Sequence, residues 1–477
     1  MAAKKKNRVK ISFVDSPSSE DVTGSLIYIE TFNHRILVDC GMHQTNDRYE
    51  DYLVNNRKFK EFKAKDIDFV FVTHNHIDHV GLIPKLYRDG FRGATIVSEN
   101  SKQILKDMIL DSAYINERDV LVINSQHNKN YKPLYSASDV YKMLEYTLEK
   151  PVNQKIVIDD ELAFELIPAG HILGSCQIKL YFTIDGTTKT LLVTGDLGNK
   201  IVGNRFVGKY KQVEYADVVI GESTYGDRPD IKTGIKERKN DLDKFKSIIE
   251  TQIHEMHGRV IIPSFSMSRS QQLALMLYEM YKDSEWKPKI YIDSPLTIKI
   301  FEDYEECLDG QDKIDFDAMM ASNMFTFIKE SEDSKNLVDS NESCLIISSS
   351  GMCQSGRIRH HLKRCIPDSN ATVLLVGFST EGSLASLLKD NKRKTITIDQ
   401  KEYPCRCASY SLKSLSGHAP FWQLVDMYTS INTNKIILHH GSKTAKETLK
   451  KESDRQFEKM CKSTRVVISN SSLKITL

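Results

Sequence analysis

The segment Thr73-His74-Asn75-His76-Ile77-Asp78-His79 gathers three imidazoles and one carboxylate within six consecutive residues. It follows a mostly apolar run, Ile67 to Val72, which reads as a buried strand because it is short, β-branched and aromatic. His74 and His76 differ by two positions, so on extended backbone they point the same way. Asp78 and His79 fall where the chain turns into an apparent helix, Val80 to Tyr87, and can aim at a second point a short distance off. Nitrogen and carboxylate donors without a thiolate suit a hydrolytic Zn²⁺ or Mn²⁺ centre better than a structural zinc knot. A polar loop that merely happens to be histidine-rich is the bland alternative, and the other strand ends argue against it.

Leu162 to Pro168 is a second apolar run, ending in Ala169-Gly170-His171-Ile172-Leu173-Gly174-Ser175. Thr190 to Val193 leads into Thr194-Gly195-Asp196, and Ile436 to Leu438 leads into His439-His440-Gly441. Arg35-Ile36-Leu37-Val38 ends in Asp39. Each repeats one grammar, a buried strand with a ligand-type residue at its end, most with a glycine nearby for a tight turn. A lone strand-end histidine is more often a satisfied polar group than a ligand. Taken jointly these ends describe one metal centre.

On these residues the chain resembles the metallo-β-lactamase superfamily, whose dinuclear site uses this set in this order. The resemblance makes Asp39 a supporting aspartate and gives His74, His76 and His171 to a first ion. It gives Asp78, His79 and His440 to a second ion, with Asp196 bridging both. The implied cofactor is a pair of divalent metal ions, Zn²⁺ with Mn²⁺ as the alternative. Two such ions can share and activate a hydroxide and clamp both oxygens of a phosphodiester displacement.

About 240 residues separate Asp196 from His440, enough for an inserted domain with its own core. Its edges carry Gly221-Glu222-Ser223-Thr224-Tyr225-Gly226-Asp227-Arg228 and Ser416-Gly417-His418-Ala419. With His440-Gly441 these are similar to the three extra motifs of the β-CASP nucleases, an acid followed by two histidines. In that family the acid, here Glu222, orients the first histidine, here His418, as general acid on the leaving oxygen. A carboxylate that holds an imidazole fixes its tautomer and favours its protonated form. His418, Glu222, Asp78 and Asp39 are thus the expected catalytic residues. Further stretches resemble the RNA-processing members: Ile262 to Gln271, Tyr291 to Leu296, and Ser350-Gly351-Met352-Cys353-Gln354-Ser355-Gly356. Ser416, Arg269, Ser355 and Arg357, in or beside these motifs, are the expected substrate contacts. The third motif is histidine in RNA-processing members and valine in the DNA-repair branch, so His440 favours RNA. The chain departs from the pattern at Ser442, where glutamate is usual, and at Pro420, where an aspartate is common.

Composition sets wider bounds. A chain of 477 residues with 40% hydrophobic content can bury a large core in two or three domains. No stretch approaches the roughly eighteen apolar residues of a membrane span, and Met1-Ala2-Ala3-Lys4-Lys5-Lys6 has no apolar core to follow it as a signal peptide. Nine cysteines without a regular framework indicate a reducing compartment, hence a cytoplasmic protein. Cys405 and Cys407 read as single thiols rather than half of a third metal site. A net charge of +2 leaves nucleic-acid attraction to local patches. The best is Arg357-Ile358-Arg359-His360-His361-Leu362-Lys363-Arg364, a helix after a glycine loop that could receive a phosphate. Lys389-Asp390-Asn391-Lys392-Arg393-Lys394 reads as a solvated turn, and Lys4 to Lys10 as a flexible basic start.

The expected fold class is α/β: a metallo-β-lactamase αβ/βα sandwich with an inserted α/β β-CASP domain. The expected domains are 1–225 and 413–477 for the sandwich and 226–412 for the insert, which would lid metals at the sandwich edge. Helices are expected at Lys236 to His254 and Ser270 to Tyr281, and Lys435 to His439 with Arg465 to Ile475 should complete the sheet. The expected function is a metal-dependent ribonuclease acting on single-stranded RNA, as endonuclease or 5′-exonuclease, without a membrane partner. The resemblance also implies a homodimer. The alternatives are a hydrolase of DNA or a small substrate, and a non-catalytic scaffold.

Overall fold

The structure is a computed structural model that describes residues 8–14, 23–45, 47–200, 205–230, 234–377, 379, 382–390 and 393–477. Lys4 to Asn7 of the basic start, and Asn391 and Lys392 of the basic turn, lie outside the described residues. The chain divides into two compact units. The first comprises Met1–Gly203, Val207–Ile231 and His418–Leu477; the second comprises Asn204–Phe206 and Lys232–Gly417.

The first unit contains two seven-stranded sheets. One runs, edge to edge, Lys474–Thr476, Lys10–Phe13, Ile27–Glu30, Arg35–Val38, Phe69–Phe71, Ala94–Ser98 and Thr147–Lys150. The other runs Arg465–Ile468, Lys435–Leu438, Val218–Gly221, Thr187–Val193, Cys176–Ile184, Leu162–Pro168 and Lys155–Val157. Strand alternation sorts their side chains into layers. Ile36, Val38 and Phe71 of the first sheet share a core with Phe164, Ile178, Leu191 and Ile437 of the second. Leu37 and Val70, one residue out of phase, turn to the helices Ile83–Arg88, Lys102–His127 and Ala137–Glu145. Leu192, Val219 and Ile436 likewise face the helices Phe421–Ser430 and Lys443–Lys459. Three stacked cores make a four-layer αβ/βα sandwich. At its centre the rings of Phe71 and Phe164 meet edge to face, 5.0 Å between centroids. Burying each of them stabilises the sandwich by about 1.5–3 kcal/mol.

Two strand details differ from the sequence expectation. Arg465 to Ile475 is not one strand: Arg465–Ile468 edges one sheet and Lys474–Thr476 edges the other. The polar run Ser469-Asn470-Ser471-Ser472 breaks it, with the Asn470 carboxamide oxygen accepting from the Ser472 N–H at 3.0 Å. The strand ending at Val193 begins at Thr187 and forms a hairpin with Cys176–Ile184. Its two-residue turn, Asp185-Gly186, has φ of 49° and 79°, the left-handed pair that Asp-Gly favours.

The second unit is an α/β domain on a parallel six-stranded sheet: Phe325–Phe327, Ile290–Ile292, Cys344–Ser348, Arg259–Pro263, Ala371–Leu375 and Ala408–Ser411. Its central strands are buried at every residue, as a sheet covered on both faces requires. The two expected helices are present as Ile235–Ile249, continued by a wider turn to Glu255, and Arg269–Tyr281. Among the described residues no helix is long and apolar enough to cross a membrane.

Candidate metal centre and catalytic pair

The clustered donors of the first unit, and Glu222, follow the carboxyl ends of strands. Thr187–Val193, Val218–Gly221 and Lys435–Leu438 run parallel as neighbours, so they deliver Asp196, Glu222 and His440 to one edge. Arg35–Val38 and Phe69–Phe71, also parallel, deliver Asp39 and the histidine segment in the facing sheet. The short helix Ile77–Val80 then turns Asp78 and His79 inward. Two of these residues, Asp39 at φ 61° and His440 at φ 48°, hold left-handed backbone without being glycine. Such conformations cost on the order of 1–3 kcal/mol and persist where surrounding contacts enforce them. At His440 the enforcement is visible. Ser223 donates its N–H to the His440 carbonyl at 3.0 Å and its hydroxyl to the His439 carbonyl at 2.7 Å. Gly441 permits this approach, since a Cβ there would lie 2.7 Å from the Ser223 carbonyl oxygen.

Two groups of donors result. His74, His76, His171 and Asp196 form one, and Asp78, His79 and His440 the other, with ligand atoms within 4.8 Å of one another in each. In the first group His76 Nδ1 lies 3.0 Å from His74 Nε2 and 3.3 Å from His171 Nε2. Asp196 Oδ2 lies 3.6 Å from His74 Nε2 and 3.8 Å from His171 Nε2. Its Oδ1 faces the other group, 3.6 Å from His79 Nε2 and 3.1 Å from His440 Nδ1. Asp78 Oδ2 is 3.4 Å from His440 Nε2. One carboxylate therefore faces both groups.

The hydrogen bonds fix which nitrogens carry lone pairs. Asp39 accepts from the Thr73 N–H at 2.8 Å, from the Thr73 hydroxyl at 2.8 Å and from His79 Nδ1 at 2.7 Å. With its proton given to Asp39, the Thr73 oxygen can only accept from His74 Nδ1, 3.1 Å away. In the neutral rings, Nε2 of both His74 and His79 is then the lone-pair nitrogen, turned towards the donor groups. This is how residues behind a metal site orient its ligands. Thr73 was not among the sequence candidates. Its position between strand and first histidine was the available signal, but its partner lies 34 residues away.

Charge supports the same reading. Burial pushes the His74 imidazole well below its ordinary value and His76 down to about 4, so both favour the neutral form that metal binding needs. In the other group burial also disfavours charge, yet Asp196 with Asp39 for His79, and Asp196 with Asp78 for His440, outweigh it and raise both imidazoles. A divalent cation would take the place of those protons. Asp196 Oδ1 is buried without a well-directed hydrogen bond, as an oxygen awaiting a cation would be. The donor set fits divalent metal.

Beside the first group stands the pair His418 and Glu222. Glu222 is 2% exposed, its oxygens accepting from the Leu197 N–H at 2.5 Å and the Thr224 N–H at 3.3 Å. Tyr428, which the sequence reading did not select, donates its hydroxyl to the Glu222 carbonyl at 2.5 Å. His418 Nδ1 lies 3.7 Å from Glu222 Oε2 and 3.9 Å from Asp196 Oδ2. Its ring sits 4.4 Å from that of His171. A side-chain exposure of 14% leaves His418 reachable from solvent.

The four expected substrate contacts belong to the second unit. Ser355 is exposed and Ser416 half-buried. Arg269 is buried, donating to the Gln272 carboxamide oxygen at 3.2 Å. Arg357 corrects the picture of an open guanidinium. It donates to Asp293 at 2.8 Å and to the carbonyls of Ile328 and Lys329, both at 2.9 Å. Asp293 in turn binds His361 at 2.6 Å and Ser334 at 2.7 Å. The rest of the basic helix is also tied down: Arg359 and Lys363 reach Asp399 at 2.5 and 2.6 Å, and Arg364 reaches Asp368 at 3.6 Å. Opposite charges fixed at these spacings make this run a domain staple. Cys405 and Cys407 are half-buried free thiols against the core of this unit.

Both departures from the family pattern have local reasons. Pro420 precedes the helix Phe421–Ser430, at φ −70° where proline is relaxed. Ser442 caps the helix Lys443–Lys459, its hydroxyl accepting from the Ala445 N–H at 3.1 Å. Ser442→Ala is expected to lower stability by about 1 kcal/mol in urea titration, with metal content unchanged. Metal loss in this variant would show that Ser442 acts on the ligands.

Comparison with known proteins places these features. The family model described as the metallo-beta-lactamase superfamily matches residues 21–202. The Beta-Casp domain model matches 270–388, and the model described as the Zn-dependent metallo-hydrolase RNA specificity domain matches 402–462. The chain is 27% identical over 449 residues to the transcription termination factor FttA of Methanocaldococcus jannaschii, covering 91% of this chain and 67% of that one. It is 27% identical over 432 residues to a ribonuclease of Thermus thermophilus, covering 89% and 91%. A crystal structure of a protein of unknown function from Enterococcus faecalis shares the fold, with a TM-score of 0.53, 12% identity, and coverage of 98% of this chain and 100% of that one. The chain belongs to the metallo-β-lactamase superfamily, as a member of its β-CASP family with a site for divalent metal.

Proposed function

We propose that the protein is a metal-dependent ribonuclease that hydrolyses phosphodiester bonds of single-stranded RNA by a two-metal mechanism, in RNA processing or decay. The observation that carries this reading is the joint placement of two donor groups around Asp196 with the His418–Glu222 pair beside them. A small-substrate hydrolase has no evident use for that pair. RNA is favoured over DNA by the histidine at position 440, by the match to the RNA specificity domain, and by relatives named as ribonuclease and transcription termination factor.

His74, His76 and His171 would hold one ion, Asp78, His79 and His440 the other, and Asp196 would bridge them. We take Zn²⁺ over Mn²⁺, because imidazoles dominate the donor set and the matching family model is described as Zn-dependent. When bound, such a pair supplies Lewis-acid charge and an activated water for attack on phosphorus. Asp39 holds His79 by its Nδ1 and, through Thr73, sets the tautomer of His74. Glu222, anchored by two backbone amides, stands 3.7 Å from His418 Nδ1 and would orient that ring. That leaves His418 Nε2 to pass a proton to the departing 3′-oxygen.

We read 1–225 with 413–477 as the catalytic domain and 226–412 as the β-CASP insert. The second compact unit, which ends at Gly417, supports this reading. A cytoplasmic setting is the reading that nine free cysteines favour. A homodimer is the assembly that the resemblance implies, and sedimentation of the pure protein decides it.

The deciding experiment incubates the protein with RNAs labelled at either end and bearing a 5′-hydroxyl, monophosphate or triphosphate. Single-stranded RNA is expected to be cut faster than DNA of the same sequence, leaving a 5′-phosphate and a 3′-hydroxyl because water attacks phosphorus. Product lengths from the two labels separate endonuclease from 5′-exonuclease. A 2′,3′-cyclic phosphate would mean that the ribose 2′-OH attacks, and the proposed mechanism would fall.

A further inference from the structure

The helix Ile235–Ile249 of the second unit lies along an edge strand, Ala408–Ser411, and the short turn Lys413–Leu415 after it. Three of its side chains meet that segment in antiparallel order. Lys244 sets its ammonium 5.3 Å from the centre of the Tyr410 ring. Asp241 accepts from the Ser414 N–H at 2.9 Å and from the Ser414 hydroxyl at 2.6 Å. Arg238 Nη1 donates to the Ser414 carbonyl at 3.4 Å. Ser414 is 4% exposed and stands four positions before His418, so this seam fixes the start of the stretch that runs on to His418.

Arg238 is the member of this seam that is left unbalanced. Positions 238, 241, 245 and 249 share one face of the helix, and Phe245 and Ile249 on it are fully buried. That face draws Arg238 half out of water. Burial lowers its guanidinium below the ordinary value, and no anion offsets the effect. Asp241 is taken up by Ser414 and forms no ion pair with Arg238. Elsewhere the same unit sets Asp293 against Arg357 and Asp399 against Arg359. Among the described residues no acid is set against Arg238. Its Nε and Nη2 have no protein partner among them either, and neither atom is enclosed. Charges taken partly out of water are ordinarily paired. An arginine fully in solvent would need no partner. A half-buried one with its Nε–Nη2 edge open offers the planar fork that two phosphate oxygens fill.

We propose that Arg238 binds a phosphodiester of the RNA strand at this seam. The two non-bridging oxygens take the Nε–Nη2 edge and supply the missing anion, while Nη1 stays on the Ser414 carbonyl. The contact holds the strand by its backbone and reads no base. This rests on the ribonuclease reading and adds a residue of the second unit that binds substrate without entering the reaction.

The test measures RNA binding by metal-loaded protein carrying His418→Ala, which slows cleavage during the measurement. Arg238→Gln should reduce the slope of log Kd against log salt by about 0.7, the value for one phosphate contact on a single strand. Arg238→Lys should keep most of that slope while losing affinity, because the ammonium keeps the charge but not the fork. In oligonucleotides that each carry one neutral methylphosphonate linkage, one linkage should weaken the parent about tenfold and leave Arg238→Gln unchanged. Lys335→Gln, on an exposed lysine of the same unit, should leave slope and profile as in the parent. If Arg238→Gln does not fold, Arg238→Lys carries both measurements. An unchanged slope and linkage profile in Arg238→Gln, or parental affinity and profile in Arg238→Lys, would overturn the contact. So would an equal fall of slope in Lys335→Gln, which is general charge attraction. So would an Arg238→Gln variant that binds RNA as the parent does and loses only its stabilisation by inorganic phosphate, since the site would then take the free ion. If the unmutated protein neither binds nor cuts RNA, the ribonuclease reading itself fails, and the two failures are told apart at the first titration.

Discussion

Asp196→Ala is expected to leave the protein with less than half of its bound divalent metal and with no measurable RNA cleavage. The reason is geometric. Asp196 Oδ2 faces His74 and His171 at 3.6 and 3.8 Å, while Oδ1 faces His79 and His440 at 3.6 and 3.1 Å. Removing it takes from both donor groups the one anion they share. Even partners behind a ligand cost about 10–100-fold in metal affinity when lost, so a bridging ligand must cost more. His76→Ala removes a donor from one group only, so it should strip one ion and retain more of the other. Metal analysis after dialysis against chelator-treated buffer measures both: about two ions per chain for the parent, fewer than one for Asp196→Ala, and about one for His76→Ala. Full activity of Asp196→Ala in that buffer would sink the two-metal mechanism.

Much of this centre is legible in the sequence because its logic is local. An apolar strand followed by a ligand-type residue can be read within seven or eight positions, and parallel neighbouring strands then bring Asp196, Glu222 and His440 to one edge. The four layers are legible for the same reason, since Ile36, Leu37 and Val38 alternate between two cores as a period of two dictates. What escapes the sequence depends on partners far along the chain. Thr73 gains its importance only from Asp39, and Arg357 turns inward only because Asp293 waits behind it. The left-handed backbone of Asp39 and His440 has only a weak signature in residue type, and contacts such as the Ser223 clamp at His440 impose it. Arg465 to Ile475 misleads because apolar strand residues lie on both sides of a four-residue polar break, and only the sheet order shows that they part there. The basic helix is only half legible. Its charge pattern is real, but Asp399, which pairs with Arg359 and Lys363, comes from elsewhere in the domain.

His418→Ala is expected to separate proton transfer from metal binding. His418 is not one of the clustered ligands, and its Nδ1 side is turned to Glu222 at 3.7 Å. The variant should therefore keep both ions and bind RNA with near-parental affinity, yet cleave roughly 10²–10⁴-fold slower, the usual cost of a lost general acid. Glu222→Gln should be milder, because the imidazole remains and the carboxamide oxygen can still accept from the Leu197 amide, although its NH₂ then faces the Thr224 amide. The carboxamide loses the negative charge beside His418 and one of the two oxygens that accept from the backbone. A substrate whose scissile 3′-oxygen is replaced by sulfur supplies the sharper measurement. A thiolate leaves without needing a proton, so this substrate bypasses whatever His418 contributes at Nε2. Its cleavage by His418→Ala should approach the parental rate, whereas His76→Ala should stay slow because its defect lies in the metal centre. Were the sulfur substrate to rescue neither variant, or His418→Ala to lose an ion, His418 would have to be reassigned from proton donor to a support of the His171 side of the centre, which its ring approaches to 4.4 Å.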